Sequence, residues 1–265
     1  MSNNSKRLNF FTLETDHEGV TLITLDRPPV NALSKEAYAE LYDLAEIIEA
    51  NDNTRCAVLA APNHARAWCG GGDLKDFVGI NYEMRLERFA LITKAFERLF
   101  NLNRPIIAAI NNHAIGAGFY ICTLCDFRIA STEALFALPE IDRGIISGCG
   151  FFFRLRVPQG MLREMIFTGR RYTAEELRST GIFNQIVAKD QVLSKALEVA
   201  HVIARKSLPA LKANKTALNA GEMRTNWMET YLMTQKISAE LTVGLDAKEG
   251  VQAFLERRKP TYLDK

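Results

Sequence analysis

The sequence RPIIAAINNHAIGAGFYICTLCDFRIAS, residues 104–131, carries a pattern from which the fold class can be inferred. The apolar run Pro105–Ile110 is typical of a short buried strand, and it leads into the small residues of His113–Gly118. Phe119–Cys125 then has the character of a helix, and Phe127–Ala130 that of a second strand. Because strands joined through a helix usually pair in parallel, this order predicts an α/β protein.

The alternation extends to both sides of this stretch. Upstream, Val20–Leu25 and Cys56–Ala61 read as strands, Ser34 caps a helix with apolar residues at helical spacing, and Tyr82–Asn101 is a long amphipathic helix. After Leu162 most segments are predicted to be helical, and these are Ala174–Ser179, Val192–Lys206, Pro209–Ala220, Trp227–Thr242 and Asp246–Glu256. We therefore expect an α/β core in residues 1–200 and a helical region in residues 201–265.

The composition is that of an ordinary globular protein, with 48% hydrophobic residues. The 33 basic and 31 acidic residues leave a net charge of +2, which argues against a nucleic-acid partner. The amino terminus lacks the apolar core of a signal peptide, and no apolar run reaches the length of a membrane-spanning helix. We expect a cytoplasmic protein with no membrane partner.

The cysteines do not indicate a metal site. Cys122 and Cys125 form a CxxC pair, but neither a second pair nor clustered histidines complete a zinc site. The pair lies in an apolar run, which also argues against a redox motif. Reduced, buried thiols are expected, and no metal, flavin or nicotinamide motif is present.

Two glycine-rich turns are candidates for binding an anion. Gly70, Gly71 and Gly72 follow a strand and let backbone N–H groups approach a ligand closely. The turn at Gly116–Gly118 leads into a helix, whose free N–H groups and dipole favour negative charge. Either turn alone is explained as well by flexibility or tight packing. Their occurrence together in one α/β chain favours a shared site.

Glu140 is the candidate acid–base residue. It follows Pro139 between apolar residues, where partial desolvation suits a carboxyl group to general acid–base work. A single glutamate at such a position is more often a helix cap or a surface charge, so the assignment depends on its neighbours.

Together these segments resemble the crotonase superfamily, also called the enoyl-CoA hydratase/isomerase family. The resemblance covers nearly the whole chain, in co-linear motifs that carry more weight than one glycine pattern. Besides residues 104–131 they are TLITLDRPPVNALS (21–34), AWCGGGDLKDF (67–77), FALPEIDRGIISG (136–148), FTGRRYTAEELRSTGIFNQIV (167–187) and EGVQAFLERRKPTY (249–262). It implies the crotonase (ClpP-like) fold, with a repeated ββα core and a C-terminal helical trimerisation region.

The resemblance also implies roles for individual residues. The N–H groups of Gly72 and Ala117 match an oxyanion hole for the thioester oxygen, whose donors contribute roughly 3–4 kcal/mol each in acyl-transfer enzymes. Glu140 matches one of the two glutamates of hydratases, whereas Tyr120 stands in place of the other. Gly148 matches a glycine whose backbone helps to hold water in hydratases.

A second set of residues matches coenzyme A contacts in the family. Arg66 lies beside the Gly70–Gly71 loop, where members contact the nucleotide. Asn31, Ala32 and Leu33 match the turn along the adenine and pantetheine path. Arg257 matches a basic position that reaches the 3′-phosphate, often from a neighbouring subunit, although it is also an ordinary charged helix end. No cofactor is implied beyond the coenzyme A of an acyl-CoA thioester substrate.

Tyr120 points to the type of reaction. Without the other glutamate a water molecule loses a charge-assisted acceptor, and a tyrosine with an ordinary pKa of about 10 is a poor base. One base suits an allylic proton shift, in which Glu140 removes a proton and returns it to another carbon. Phe151–Phe153 would help by excluding water. We therefore expect isomerisation of a 3-enoyl to a 2-enoyl thioester.

Other functions stay open. A hydratase, or a hydratase-lyase for aryl-propenoyl thioesters, would use Glu140 with a tyrosine of the C-terminal helices, for which Tyr231 is the candidate. Phe77 stands where such lyases carry a tyrosine. A non-catalytic acyl-CoA-binding subunit is a third possibility, which the intact turns and Glu140 oppose. By resemblance, residues 201–265 form oligomer contacts and part of the CoA/acyl pocket in a homotrimer or dimer of trimers.

Overall fold

The computed structural model describes residues 4–79, 81–148, 150–223, 244–246, 249, 252–253 and 256–262. Within these residues the elements are, in chain order, β1 (Asn4–Arg7), β2 (Phe11–Thr15), β3 (Val20–Leu25), α1 (Lys35–Ala50), β4 (Cys56–Ala60), α2 (Tyr82–Phe100), β5 (Ile106–Ile110), β6 (Ala114–Ile115), α3 (Ala117–Leu124), β7 (Phe127–Ser131), β8 (Leu135–Ala137), α4 (Gly150–Arg154), α5 (Gln159–Thr168), β9 (Tyr172–Thr173), β10 (Gln185–Val187), α6 (Val192–Ala204) and α7 (Leu208–Met223). The predicted helix Trp227–Thr242 and most of Asp246–Glu256 lie outside the described residues.

Most of the strands belong to one mixed sheet. Its order is β1-β2-β3-β4-β5-β7-β10, and β6, β8 and β9 form a smaller second sheet. β1, β2 and β3 pair antiparallel, whereas the neighbours from β3 to β10 pair parallel. The parallel pairing predicted from the strand–helix alternation is confirmed, including that of β5 with β7 on either side of α3.

β4 and β5 are buried along their whole length because helices cover both faces of the sheet. Successive side chains point to opposite faces. Leu59 belongs to the core cluster that contains Leu41 of α1, while Val58 and Ile107 belong to the cluster that contains Ala200 of α6. Coverage on both faces makes such strands continuous apolar runs, which is why the sequence pattern could identify them.

The two long helices before β5 begin where side chains cap them. The hydroxyl of Ser34 accepts a hydrogen bond from the N–H of Ala37 at 3.4 Å at the start of α1. The side chain of Asn81 accepts one from the N–H of Met84 at 2.8 Å at the start of α2. These caps satisfy N–H groups that a helix leaves free, so both helices agree with their predicted positions. No described helix is long and apolar enough to span a membrane.

The helix predicted at Ala174–Ser179 is wrong. Residues 174–177 form turns, and only Arg178–Thr180 makes a short 3-10 helix. The carboxylate of Glu176 accepts hydrogen bonds from both the N–H and the hydroxyl of Thr173, at 2.7 and 3.0 Å. Local side chain–backbone bonds of this kind compete with helix formation, and helical spacing alone does not reveal them.

Lys215 attaches α7 to the sheet beside the amino-terminal ends of β5 and β7. Its Nζ lies 2.8 Å from the carboxylate of Asp126 and donates to the carbonyl of Arg104 at 3.0 Å. Asp126 also accepts a hydrogen bond from the N–H of Ile106 at the start of β5. Because Lys215 is buried, the pair is shielded from solvent and fixes α7 relative to the sheet. The division at residue 200 stays a prediction.

The described cysteines are buried and free, as expected, and Cys149 lies outside the described residues. Burial raises the pKa of the Cys56 and Cys69 thiols from 9.0 to about 12. Burial also raises the pKa of Cys122 well above its ordinary value. A thiol whose pKa is higher in the folded protein than in the unfolded chain contributes fully to stability at pH values below its pKa in the unfolded chain. That contribution is lost as the pH rises towards the pKa of the thiol in the folded protein.

We therefore expect the free energy of unfolding to fall between about pH 9 and pH 12, by up to about 1.4 kcal/mol per thiol and pH unit. Denaturant unfolding at a series of pH values measures this slope. Cys56→Ala should have a shallower slope, whatever its effect on stability at neutral pH. An unchanged free energy of unfolding across this range would contradict the assignment.

Candidate active site

The two glycine-rich turns are joined by backbone hydrogen bonds. The N–H of Cys69 donates to the carbonyl of His113 at 3.2 Å, and the N–H of Ile115 donates to the carbonyl of Cys69 at 3.0 Å. On the other side of the first turn, the N–H of Leu33 donates to the carbonyl of Gly71 at 2.7 Å. Segments far apart in sequence therefore hold one another in a fixed register.

Gly71 permits the close approach of the two turns. Its φ is +91°, and a Cβ at this position would lie 2.6 Å from the carbonyl oxygen of Ile115. The same Cβ position is 3.5 Å from the backbone nitrogen of Ala117. Only glycine fits there, because any side chain would collide with the second turn.

The predicted oxyanion donors are both available. Among the described residues, the N–H groups of Gly72 and Ala117 have no hydrogen-bond partner. Ala117 is the first residue of α3, so its N–H also lies at the positive end of that helix. Two free N–H groups on adjoining turns are suited to binding one anionic oxygen.

Glu140 lies directly against the second turn. The smaller sheet brings it there, since the N–H of Gly116 donates to the carbonyl of Ala137 at 2.9 Å. Gly116 has φ +53°, and a Cβ on it would be 2.8 Å from Oε1 of Glu140. Oε2 of the half-buried Glu140 accepts a hydrogen bond from the hydroxyl of Ser147 at 2.9 Å.

Tyr120 connects Glu140 to Gly148. Its hydroxyl donates to Oε1 of Glu140 at 2.6 Å and accepts a hydrogen bond from the N–H of Gly148 at 2.7 Å. Its ring stacks on Phe151, with centroids 5.1 Å apart. Burial, followed by the negative charge of Glu140, raises the pKa of Tyr120 well above its ordinary value. Tyr120 is therefore a neutral hydrogen-bond donor rather than a base.

One cavity of about 1150 Å³ contains this arrangement. α2 and α7 contribute to its wall, and Phe151 lines it as predicted. Phe152 instead packs in the core, 4.9 Å from the ring of Phe119, and the side chain of Phe153 lies outside the described part. The cavity brings together seven of the predicted site residues, namely Gly70, Gly71, Gly72, Ala117, Tyr120, Glu140 and Gly148.

The other predicted contacts lie away from this cavity lining. Asn31 is buried and donates from Nδ2 to the carbonyls of Ala67 and Trp68, at 3.1 and 3.2 Å. Leu33 is also buried in a bridge with Gly72, whereas Ala32 is half-buried. Asn31 and Leu33 thus support the first turn from behind.

The predicted basic contacts are on the surface. Arg66 and Arg257 are both exposed, and neither lines the cavity. Tyr231 lies outside the described residues. The predicted coenzyme A contacts and the role of Tyr231 stay predictions.

Sequence reasoning did not single out several polar side chains of the site, of which three bear on its chemistry. Ser147 was part of a quoted motif, but its bond to Glu140 depends on how the 3-10 turn Pro139–Arg143 folds back. Arg85 and Arg88 also line the cavity. Their spacing of three residues places them on one face of α2, which is the signal that could have identified them.

Comparison with known proteins agrees with this geometry. The family model described as enoyl-CoA hydratase/isomerase matches residues 15–265. YngF of Bacillus subtilis, whose name places it in that family, is 36% identical over 255 residues, covering 95% of this chain and 96% of its own. The short-chain-enoyl-CoA hydratase of Clostridium acetobutylicum is 32% identical, covering 95% of this chain and 97% of its own.

The same relation is seen among solved structures. An enoyl-CoA hydratase from Bacillus anthracis superimposes with a TM-score of 0.90 at 30% identity, covering 97% of this chain and all of its own. The chain therefore belongs to the enoyl-CoA hydratase/isomerase family and has the crotonase fold. It is an enzyme of a family that acts on acyl-CoA thioesters.

Gly116→Ala tests the geometry of the second turn. The methyl group would require an unfavourable backbone conformation and would collide with Glu140. We expect turnover to fall by about 100-fold or more, the scale of losing one oxyanion donor. Steady-state kinetics with an acyl-CoA substrate measures this.

Gly160→Ala is the matched control, because a Cβ there meets no atom within 4 Å in α5. It should keep full activity. A Gly116→Ala enzyme with normal turnover would show that Glu140 and the turn need not be in contact.

Proposed function

We propose that the protein isomerises 3-enoyl-CoA thioesters to 2-enoyl-CoA thioesters, with Glu140 as its only acid–base residue. The supporting observation is the chain of hydrogen bonds from the N–H of Gly148 to the Tyr120 hydroxyl and on to Glu140. By resemblance, the counterpart of Gly148 in hydratases helps to hold water. Here that N–H is already bonded to a phenolic oxygen, which takes the place of a water molecule beside the carboxylate.

The proposed reaction begins with the substrate in the oxyanion hole. The thioester oxygen accepts hydrogen bonds from the N–H groups of Gly72 and Ala117. Glu140 removes a proton from C2 of the 3-enoyl group, and the electron pair spreads through the dienolate to the thioester oxygen. The two N–H groups stabilise this negative charge more strongly than that of the neutral carbonyl, which lowers the barrier.

Glu140 then returns the same proton to C4, which moves the double bond into conjugation with the thioester. Tyr120 and Ser147 each bond to one oxygen of Glu140 and restrict its rotation. Each carboxylate oxygen retains capacity for another hydrogen bond, so these bonds do not block proton transfer. Phe151, stacked on Tyr120, adds an apolar wall that disfavours water.

Several finer features belong to the same proposal. Arg66, Arg257 and the half-buried Ala32 of the turn at residues 31–33 bind coenzyme A, with no further cofactor, while the buried Asn31 and Leu33 hold that turn in place. Residues 201–265 form the contacts of a homotrimer or a dimer of trimers, and the enzyme works in the cytoplasm. The hydratase from Clostridium acetobutylicum supports water addition as the competing activity.

Paired assays separate these activities. Purified protein should convert 3-hexenoyl-CoA to 2-hexenoyl-CoA and leave crotonyl-CoA nearly unhydrated. Glu140→Gln should lower isomerisation by about 1000-fold or more, because a neutral amide cannot remove the proton from C2. The exposed Glu133→Gln is the control and should be fully active. Rapid hydration of crotonyl-CoA that is lost in Glu140→Gln would overturn the isomerase proposal in favour of a hydratase.

Tyr120→Phe tests the exclusion of water. The variant keeps the ring that stacks on Phe151 but frees the N–H of Gly148 and leaves room for a water molecule beside Glu140. We expect isomerisation to fall by about tenfold, the scale of one hydrogen bond to a charged group, and hydration of crotonyl-CoA to increase. If both rates equal those of the original protein, the hydroxyl does not control the reaction.

A further inference from the structure

Within the described part of the chain, four arginines line the cavity, and two of them, Arg85 and Arg88, lie one helical turn apart on α2. Arg88 is buried, and its Nη2 lies 3.3 Å from the carboxylate of Asp76. Arg85 has no such counter-ion: its Nη1 is buried and lacks a hydrogen-bond partner within the described residues. A buried guanidinium nitrogen without an acceptor is costly, because it has lost water and gained nothing in exchange.

The surroundings of Arg85 hold its side chain in place. Its guanidinium carbon lies 4.4 Å from the ring centroid of Phe77 and 4.1 Å from that of Phe89. Both rings also line the cavity. Burial, followed by the neighbouring charge of Arg88, lowers the pKa of Arg85. A guanidinium group is charged throughout the physiological pH range, and here its planar fork lies between two aromatic rings.

Arg88 relates this cation to the reacting centre. Its Nη2 is 3.4 Å from the position that a Cβ on Gly72 would occupy, so α2 passes beside the first oxyanion donor. Arg85 is three residues earlier on the same face, roughly 5–6 Å further along the wall. An acyl group held at Gly72 therefore has Arg85 within the reach of a short chain.

We propose that the acyl group of the substrate ends in a second carboxylate, which Arg85 binds, so that the enzyme acts on short dicarboxylic acyl-CoA thioesters. This inference rests on the proposed function, because it assumes that the thioester lies at Gly72 and Ala117. The fork of an arginine matches a carboxylate and a phosphate equally well. Arg85 lies over Phe77, one helical turn from the Arg88 that approaches Gly72, and this position favours the acyl end of the substrate over the phosphates of coenzyme A.

Calorimetric binding of two saturated thioesters tests the inference. Adipoyl-CoA and hexanoyl-CoA have the same chain length and the same coenzyme A, neither carries the double bond of an enoyl substrate, and only the first has a terminal carboxylate. The original protein should bind adipoyl-CoA about tenfold or more tightly than hexanoyl-CoA, the scale of a hydrogen bond between charged groups. Added salt should reduce the preference.

Variants of α2 assign the preference to Arg85. Arg85→Met keeps the apolar stem of the side chain. It should reduce the preference for adipoyl-CoA over hexanoyl-CoA to less than about threefold by weakening the binding of adipoyl-CoA alone. Arg85→Lys should retain part of it. Arg98→Met is the control, since Arg98 lies on the same helix but pairs with Glu49 and does not line the cavity.

Three outcomes would overturn the inference. If Arg85→Met weakens the binding of both thioesters equally, Arg85 contacts the phosphates of coenzyme A rather than the acyl group. If the affinities of Arg85→Met for both thioesters are unchanged, Arg85 contributes only to packing. If neither thioester binds the original protein, the acyl-thioester site itself fails, and the inference with it. Rapid hydration of crotonyl-CoA together with the preference for adipoyl-CoA would overturn the isomerase proposal and leave the binding role of Arg85 in place.

Discussion

The site depends on the two backbone hydrogen bonds that join Cys69 to His113 and Ile115. Cys69 and the neighbouring Ala114 are fully buried, so no water competes for these bonds. They bring the N–H groups of Gly72 and Ala117 onto adjoining turns through backbone groups, and the side chain of Asn31 supports the first turn. A site made from backbone N–H groups does not depend on the identity of the side chain, so the methyl group of Ala117 leaves its N–H group available.

We propose that the side chains around these two N–H groups direct the reaction. In the proposed mechanism Glu140 keeps both its oxygens bonded, to Tyr120 and Ser147, and Tyr120 uses the N–H of Gly148. In this proposal the same two N–H groups would serve hydration, isomerisation or bond cleavage, because each of these reactions passes through an enolate. Tyr120, where the resemblance places a glutamate, would then change what lies opposite the enolate and leave its stabilisation untouched.

The fold was predictable where burial is continuous. β4 and β5 are apolar along their length, and the caps Ser34 and Asn81 mark the starts of helices, so local pattern and tertiary structure agree. Prediction failed at Ala174–Ser179, where the bonds from Thr173 to Glu176 replace a helix. The short β10 was not predicted, because three residues are too few to show the alternation of a strand, and its pairing with β7 is a tertiary contact.

By itself the sequence determined the family, the two turns and the presence of Glu140, because each is carried by residues adjacent in the chain. Only the tertiary structure decided that the Tyr120 hydroxyl lies between Gly148 and Glu140, and that Arg85 and Arg88 share the cavity with Gly72. Hydrogen bonds of about 3 Å require positions more accurate than any spacing along the chain can specify. Those positions follow from how the sheet, the turns and α2 pack against one another.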